Sequence, residues 1–460
     1  SDMSGWMLTG LPGLAYAVGI ADATWTAIGL AAGTYLNWRL VALPLRSYTV
    51  IADNAFTVPD FFSNRFHDSK KILMNIAALF ILIFFVVYTS SGFVACGKLF
   101  QTLFGFDYVA SMLVSAAIIV IYTVVGGFLA ESVVDFLQGI LMIVALLTIA
   151  AIGVGVAGGL GQVLAQTGSY PGFLSLFSAA DVAAGTASAH GAIAIASGLS
   201  WGLGYLGMPH VLLRFMAIRD GAELKKSRRI GTTWCIISLF LAVALGVIGR
   251  ALYPTLLSGY ATENIFIEMC KRLLSGGMLP ILAGVMLSGV LAAQISTSDS
   301  QLLVASSAIS QNFFKGLLKP KATERQVMWV ARLTVVVVAI MAAMLAFNPN
   351  SSIFGIVSFA WAGFGATFGP LVVFSLYFKR TTLQGAVAGM ISGGITVLVW
   401  NLVLSKLGGI FSLYELLPAF IISSLAIYLV SLATPAPSAE IQKEFDACRE
   451  DVRHIKQSAN

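Results

Sequence analysis

Twelve apolar runs, each near the 20 or so residues that a helix needs to cross the hydrocarbon core of a bilayer, constrain this sequence more than anything else in it. They cover residues 1–18, 21–45, 72–104, 108–126, 132–158, 187–209, 231–253, 278–312, 327–347, 352–378, 382–405 and 412–434. Backbone amides in lipid must be satisfied within their own segment, so runs of this length predict membrane-spanning helices. Of the 460 residues, 58% are hydrophobic and 10% charged, whereas a soluble domain carries about a quarter charged residues. The expected fold class is an all-α polytopic membrane protein in contact with a lipid bilayer.

The positions of Lys and Arg test that count, because basic residues collect in cytoplasmic loops. Five lie around the second and third runs (Arg39, Arg46, Arg65, Lys70, Lys71) and six after the sixth (Arg214, Arg219, Lys225, Lys226, Arg228, Arg229). Five more follow the eighth run, two follow the tenth and four occupy the tail, giving 22 of the 27, all after even-numbered helices. Those loops and the C-terminus are therefore predicted to be cytoplasmic, in a multi-pass protein of the cell (inner) membrane. The formal charge of +6 reads as orientation signal, and no nucleic-acid partner is expected. Residues 435–460 are polar and read as a solvated tail or short surface helix. The chain opens on an apolar stretch without a basic n-region, so no cleavable signal is expected.

Cys96, Cys235, Cys270 and Cys448 form no CxxC pair and read as packing residues. The four histidines have no metal-ligand spacing, and His210 is expected to be structural. No phosphate-binding GxxxxGK[ST] loop occurs, which argues against an ATP-driven pump.

A charge at the bilayer centre costs about 2.5–3.5 kcal/mol on insertion scales, so acidic residues inside apolar runs mark function. Asp2, Asp135 and Asp299 qualify, whereas Glu131 and Asp22 are expected nearer an interface. Gly5, Gly10, Pro12 and Gly13 after Asp2 predict an interrupted first helix, whose free carbonyls suit a hard cation such as sodium. Residues Gln294 to Gln301 hold seven polar side chains in eight positions, a second oxygen source in the eighth run. Trp201 and Tyr205 are four apart, on one face of the sixth run, and Gly202, Gly204, Gly207 and Pro209 predict its interruption. Broken first and sixth helices are the signature of a five-plus-five inverted repeat. The expected organisation is a core over 1–378, two further helices over 379–434 and a polar cytoplasmic tail over 435–460.

These residues resemble the sodium/solute symporter family, and within it most closely the sodium/proline symporters. The resemblance is carried by Ser1-Asp2-Met3-Ser4-Gly5-Trp6 with Gly10-Leu11-Pro12-Gly13, by Asn54 to Phe62 with Arg65-Phe66, and by Gly126 to Ala130. It continues through Trp201-Gly202-Leu203-Gly204-Tyr205, Ser296-Thr297 with Gln301 to Val304, and Ala360 to Gly365. It implies sodium held by carbonyls of Met3 and Ala293 and hydroxyls of Ser296 and Thr297, with Asp2 and Asp135 in sodium binding or coupling. It implies a substrate pocket containing Ser4, Trp6, Gly10, Tyr88, Trp201 and Tyr205, shaped by Pro209, and sodium-coupled import of L-proline or a similar amino acid by alternating access. It also implies a helix preceding the first run, with one sodium-liganding carbonyl just before Ser1. Glu131 and Asp299 stand where the resemblance implies less charged side chains, as either a further cation or proton site or a water-facing pair. Two alternatives keep the fold: a solute sensor signalling through a partner protein, and a symporter of another small carboxylate. Neither implies an enzyme.

Overall fold

A computed structural model describes residues 3–276 and 279–458, with the backbone alone at 127–130 and 458. Its helices run in the order α1 Gly5–Leu8, α2 Gly10–Val18, α3 Ile20–Leu36, α4 Ala42–Ile51, α5 Val58–Arg65, α6 Ile72–Phe104, α7 Tyr108–Val156, α8 Leu160–Gly168 and α9 Ala192–Gly204. They continue as α10 Pro209–Met216, α11 Leu224–Leu252, α12 Ile265–Leu273, α13 Leu279–Ser307, α14 Glu324–Leu345, α15 Ile353–Tyr377, α16 Leu383–Leu402, α17 Leu416–Ala433 and α18 Ala439–Ser458. Among the described residues, nine helices are long and apolar enough to cross a membrane. The three remaining runs of the expected twelve are the ones that break.

The first breaks between α1 and α2. Thr9 leaves the helical region (φ −122°, ψ −59°), and its hydroxyl donates to the Gly5 carbonyl at 2.7 Å. The second carries a π-helical stretch over Asn37–Val41, where the Asn37 amide donates to the Tyr205 carbonyl at 2.9 Å. The sixth ends as α9, passes through a 3-10 turn at Tyr205–Gly207, and becomes extended at Met208 (ψ 110°) before Pro209 starts α10. Proline disfavours a helical residue before it and is preorganised for a first helical position, so the break falls where the sequence dictates. The sixth run is shorter than expected: residues 186–189 form a strand, Thr186–Ala189, paired with Ser178–Asp181, and α9 begins at Ala192. Of these two small strands the second is exposed along its whole length, whereas the first buries Ala180.

Runs four and five lie together in α7, as the spans Tyr108–Gly126 and Glu131–Val156. A Cβ on Gly97 would meet the Tyr108 ring, and one on Gly153 would meet Met269 of α12, while Lys271 of α12 donates to Thr102 near the end of α6. Both ends of α7 therefore lie where α6 finishes, and its two spans run out and back.

Helices α3 and α9 approach closely because Gly29 and Gly33 face Gly198 and Gly202. A Cβ at Gly202 would stand 2.2 Å from the Gly29 carbonyl oxygen. Small residues allow such backbone contact in membranes. Gly202→Ala is expected to cost at least about 1–3 kcal/mol, read as a lowered unfolding midpoint of the detergent-purified protein.

The basic loops gather at one end of the bundle. Arg46 donates to the Ile218 carbonyl, Arg380 to that of Thr434, and Lys379 pairs with Asp446 of α18. The tail is not merely solvated. Its α18 is amphipathic and buries Phe445 and Cys448 against α4, with Phe445 on Tyr48 at 6.4 Å. All four cysteines are buried and free, as packing residues should be, and burial pushes the Cys448 thiol up to about 12.

Candidate functional site

The two broken helices meet in an aromatic cluster. Trp6 of α1 lies 5.9 Å from Trp201 of α9, and both pack on Phe354 of α15, at 6.4 and 5.0 Å. Gly10 makes this possible, since a Cβ there would stand 3.3 Å from the Phe354 Cβ. Trp201 and Tyr205 both reach Trp361, which donates from its indole to the Trp201 carbonyl at 2.8 Å. Ser4 caps α1, accepting from the Trp6 amide. Tyr88 of α6 stands 6.4 Å from His210, beside Pro209. The rings of Trp6, Tyr88, Trp201 and Tyr205 are all buried. Phe354 and Tyr414, which stacks on Trp201 at 5.3 Å, were not singled out from the sequence, and Trp361 entered only within the stretch Ala360 to Gly365.

An oxygen-rich stretch of α13 packs against α1. The Ser296 hydroxyl donates to the Ala293 carbonyl at 3.1 Å, and the Ser300 hydroxyl donates to the Ser296 carbonyl at 2.9 Å. A threonine inside a helix ordinarily bonds its i−4 carbonyl. For Thr297 that is Ala293, and the bond is not made: its hydroxyl is buried and without a hydrogen-bond partner among the described residues. An unsatisfied buried hydroxyl beside a carbonyl and a second hydroxyl is a donor set suited to a hard cation. Gly5 brings α1 against this stretch, since a Cβ there would fall 1.2 Å from Gln294 Nε2. Met3 and Ser296 line one cavity of about 350 Å³, together with Asp135, Arg214, Tyr205 and Asn37. Asp2 lies outside the described residues.

One reading is corrected here. Glu131, at the first residue of its span, is buried within the bundle. Arg214 is not simply a loop charge. It sits on α10, where its guanidinium donates to Glu131, to Ser132 and, at 3.1 Å, to Asp135, and reaches Ser300 at 3.3 Å. The Ser300 hydroxyl also lies within hydrogen-bond reach of the Glu131 carboxylate. Two carboxylates, those of Glu131 and Asp135, thus share one guanidinium next to the cavity.

The opposite end is sealed by Glu263. Its carboxylate accepts from Lys98 Nζ at 2.8 Å, from the Ser352 hydroxyl and from the Ile353 and Phe354 amides at the start of α15. Gly13 of α2 packs directly on the Glu263 backbone.

A model of the sodium:solute symporter family matches residues 1–393. The sodium/proline symporter of Staphylococcus aureus is 42% identical over 460 residues, covering 98% of this chain and 87% of that protein. The sodium/proline symporter of Staphylococcus aureus strain JH9 matches equally. Among solved structures, a Na+-coupled sialic acid symporter in its substrate-bound outward-open state matches with a TM-score of 0.73 at 17% identity, covering 95% of this chain and 88% of that one. Mhp1, a nucleobase-cation-symport-1 transporter, gives 0.53 at 14% identity in its inward-facing conformation, with 96% and 92% covered. These two likenesses concern the fold alone. With the family model matching most of its length and a curated relative matching nearly all of it, this chain belongs to the sodium:solute symporter family.

Proposed function

We propose that this protein imports L-proline, or a closely similar small amino acid, together with sodium by alternating access. The observation that carries this is the meeting of the two broken helices: Trp6 and Trp201 face each other in a buried aromatic set, and α1 also packs through Gly5 on the stretch of α13 whose Thr297 hydroxyl has no hydrogen-bond partner among the described residues. Aromatic walls suit a compact pyrrolidine ring, and the 42% identical relatives are sodium/proline symporters. Sodium is bound by Met3, Ala293, Ser296 and Thr297, with Asp2 and Asp135 in binding or coupling. The amino acid is bound by Ser4, Trp6, Gly10, Tyr88, Trp201 and Tyr205, with Pro209 shaping the helix break.

Residues 1–378 form the inverted-repeat core, 379–434 two added helices and 435–460 a cytoplasmic tail. The end of the bundle that gathers the basic loops faces the cytoplasm of a cell (inner) membrane. On that assignment the Glu263–Lys98 seal is external and the cavity at Met3 and Ser296 opens inward, a state from which sodium leaves to the cytoplasm. A tenfold sodium gradient supplies about 1.4 kcal/mol and 100 mV about 2.3, enough for several hundred-fold accumulation with one ion per substrate.

Trp201→Ala is expected to raise the half-saturating proline concentration at least about tenfold by removing a ring that walls the pocket. Uptake measured against rising proline checks this, with unlabelled small amino acids and carboxylates as competitors. Proline failing to compete best would move the assignment to another solute of the same class.

A further inference from the structure

The cytoplasm-assigned face holds a group of ligands far from the transport site. His67 stands in the turn between α5 and α6. Its Nε2 lies 3.0 Å from Glu444 and its Nδ1 3.9 Å from Glu440, one turn apart on α18. A ring nitrogen of His67 and one oxygen from each glutamate all lie within 4.8 Å of one another. Metal–ligand bonds of about 2.0–2.2 Å place tetrahedral ligand atoms about 3.3–3.5 Å apart, so small side-chain rotations close the set. Glu440 and Glu444 are exposed enough to make them.

A second observation points the same way. Beside His67 and Glu444 lies a polar pocket of about 350 Å³, also lined by Asp53, Asp68 and Lys71. Asp68 is 2% exposed. Its Oδ2 accepts from the Leu73 amide at 2.7 Å, while its Oδ1 is buried with no hydrogen-bond partner among the described residues. An unsatisfied buried carboxylate oxygen is costly unless a cation or donor compensates it. Lys71 lines the pocket but gives its ammonium to Ser63 at 3.4 Å, leaving the carboxylates of Asp53, Asp68 and Glu444 in excess.

We propose that His67, Glu440 and Glu444 form a site for a divalent cation of the zinc class, backed by the buried carboxylate of Asp68, which clamps α18 onto the α5–α6 turn. One imidazole with two carboxylates favours zinc over magnesium or calcium, which take all-oxygen shells. The α18 helix is already seated by Phe445 over the buried Arg65 guanidinium, at 5.5 Å, and by Lys379 on Asp446. The cation joins a third point to these two, and through α5 it ties the tail to the inner end of the bundle.

The test is zinc titration of the full-length, tag-free protein in nanodiscs by calorimetry, with trypsin cleavage at Lys443 and Arg449 of α18 as a second readout. One zinc per chain is expected, with cleavage slowed several-fold. His67→Ala and Glu444→Gln are each expected to weaken binding at least about tenfold and to abolish the protection. Glu440→Gln, at a residue whose side chain is 77% exposed, serves the same purpose without disturbing the fold. His454→Ala is expected to change nothing. Binding that survives His67→Ala and Glu440→Gln, or that His454→Ala removes, would reduce the metal to adventitious binding and overturn the proposal, as would the absence of zinc binding to the unaltered protein.

Discussion

Thr297→Ala is expected to raise the sodium concentration for half-maximal transport at least about tenfold, with membrane abundance near that of the parent protein. Removing a buried hydroxyl that has no partner among the described residues costs the folded state little, because no hydrogen bond to them is lost and an unsatisfied group disappears. Its worth lies in the cation it meets. Each tenfold in affinity corresponds to about 1.4 kcal/mol, a modest charge for one oxygen ligand in a site that excludes water. Thr297→Ser keeps the oxygen and is expected to stay close to the parent. Sodium titrations of uptake on the three proteins check this, and equal sodium dependence in all three would remove α13 from the ion site.

Glu263→Gln is expected to destabilise the protein by about 3–5 kcal/mol, because breaking a buried pair by removing one partner leaves an uncompensated charge. Lys98 and Glu263 are each 5% exposed. The carboxylate also accepts from the first residues of α15, and an amide offers a single acceptor oxygen in its place. The double variant Lys98→Met with Glu263→Gln is expected to recover much of the loss, since no charge is then stranded. Thermal unfolding of the two single variants and the double one gives the coupling. Losses that simply add would show that the pair does not hold the seal.

The features legible in the sequence are those set by neighbours along the chain. Apolar length marked the spans, and Gly10, Pro12 and Pro209 marked the interruptions, because proline and glycine act on the backbone within a residue or two. The polar stretch of α13 was equally plain. What escaped was pairing across long separations. Arg214 counted as one of six loop charges, yet it meets Glu131, 83 residues away. Lys98 and Glu263 are 165 apart, and His67 and Glu444 are 377 apart. Nothing in local spacing announces such pairs, since packing alone brings them together. Phe354 was hidden for a related reason: aromatic residues in an apolar helix look alike whether they face lipid or a site. The π-helical stretch of the second run, at Asn37–Val41, was not legible, since no proline or glycine marks it and its Asn37 is held by the distant Tyr205 carbonyl.

The most direct measurement of the central claim is uptake of radiolabelled L-proline by proteoliposomes containing only this protein. With sodium outside and a negative interior, proline is predicted to accumulate well above its external concentration, and collapsing the sodium gradient is predicted to abolish that accumulation. Accumulation that proceeds equally without sodium, or proline that never exceeds equilibration when sodium is present, would contradict the account.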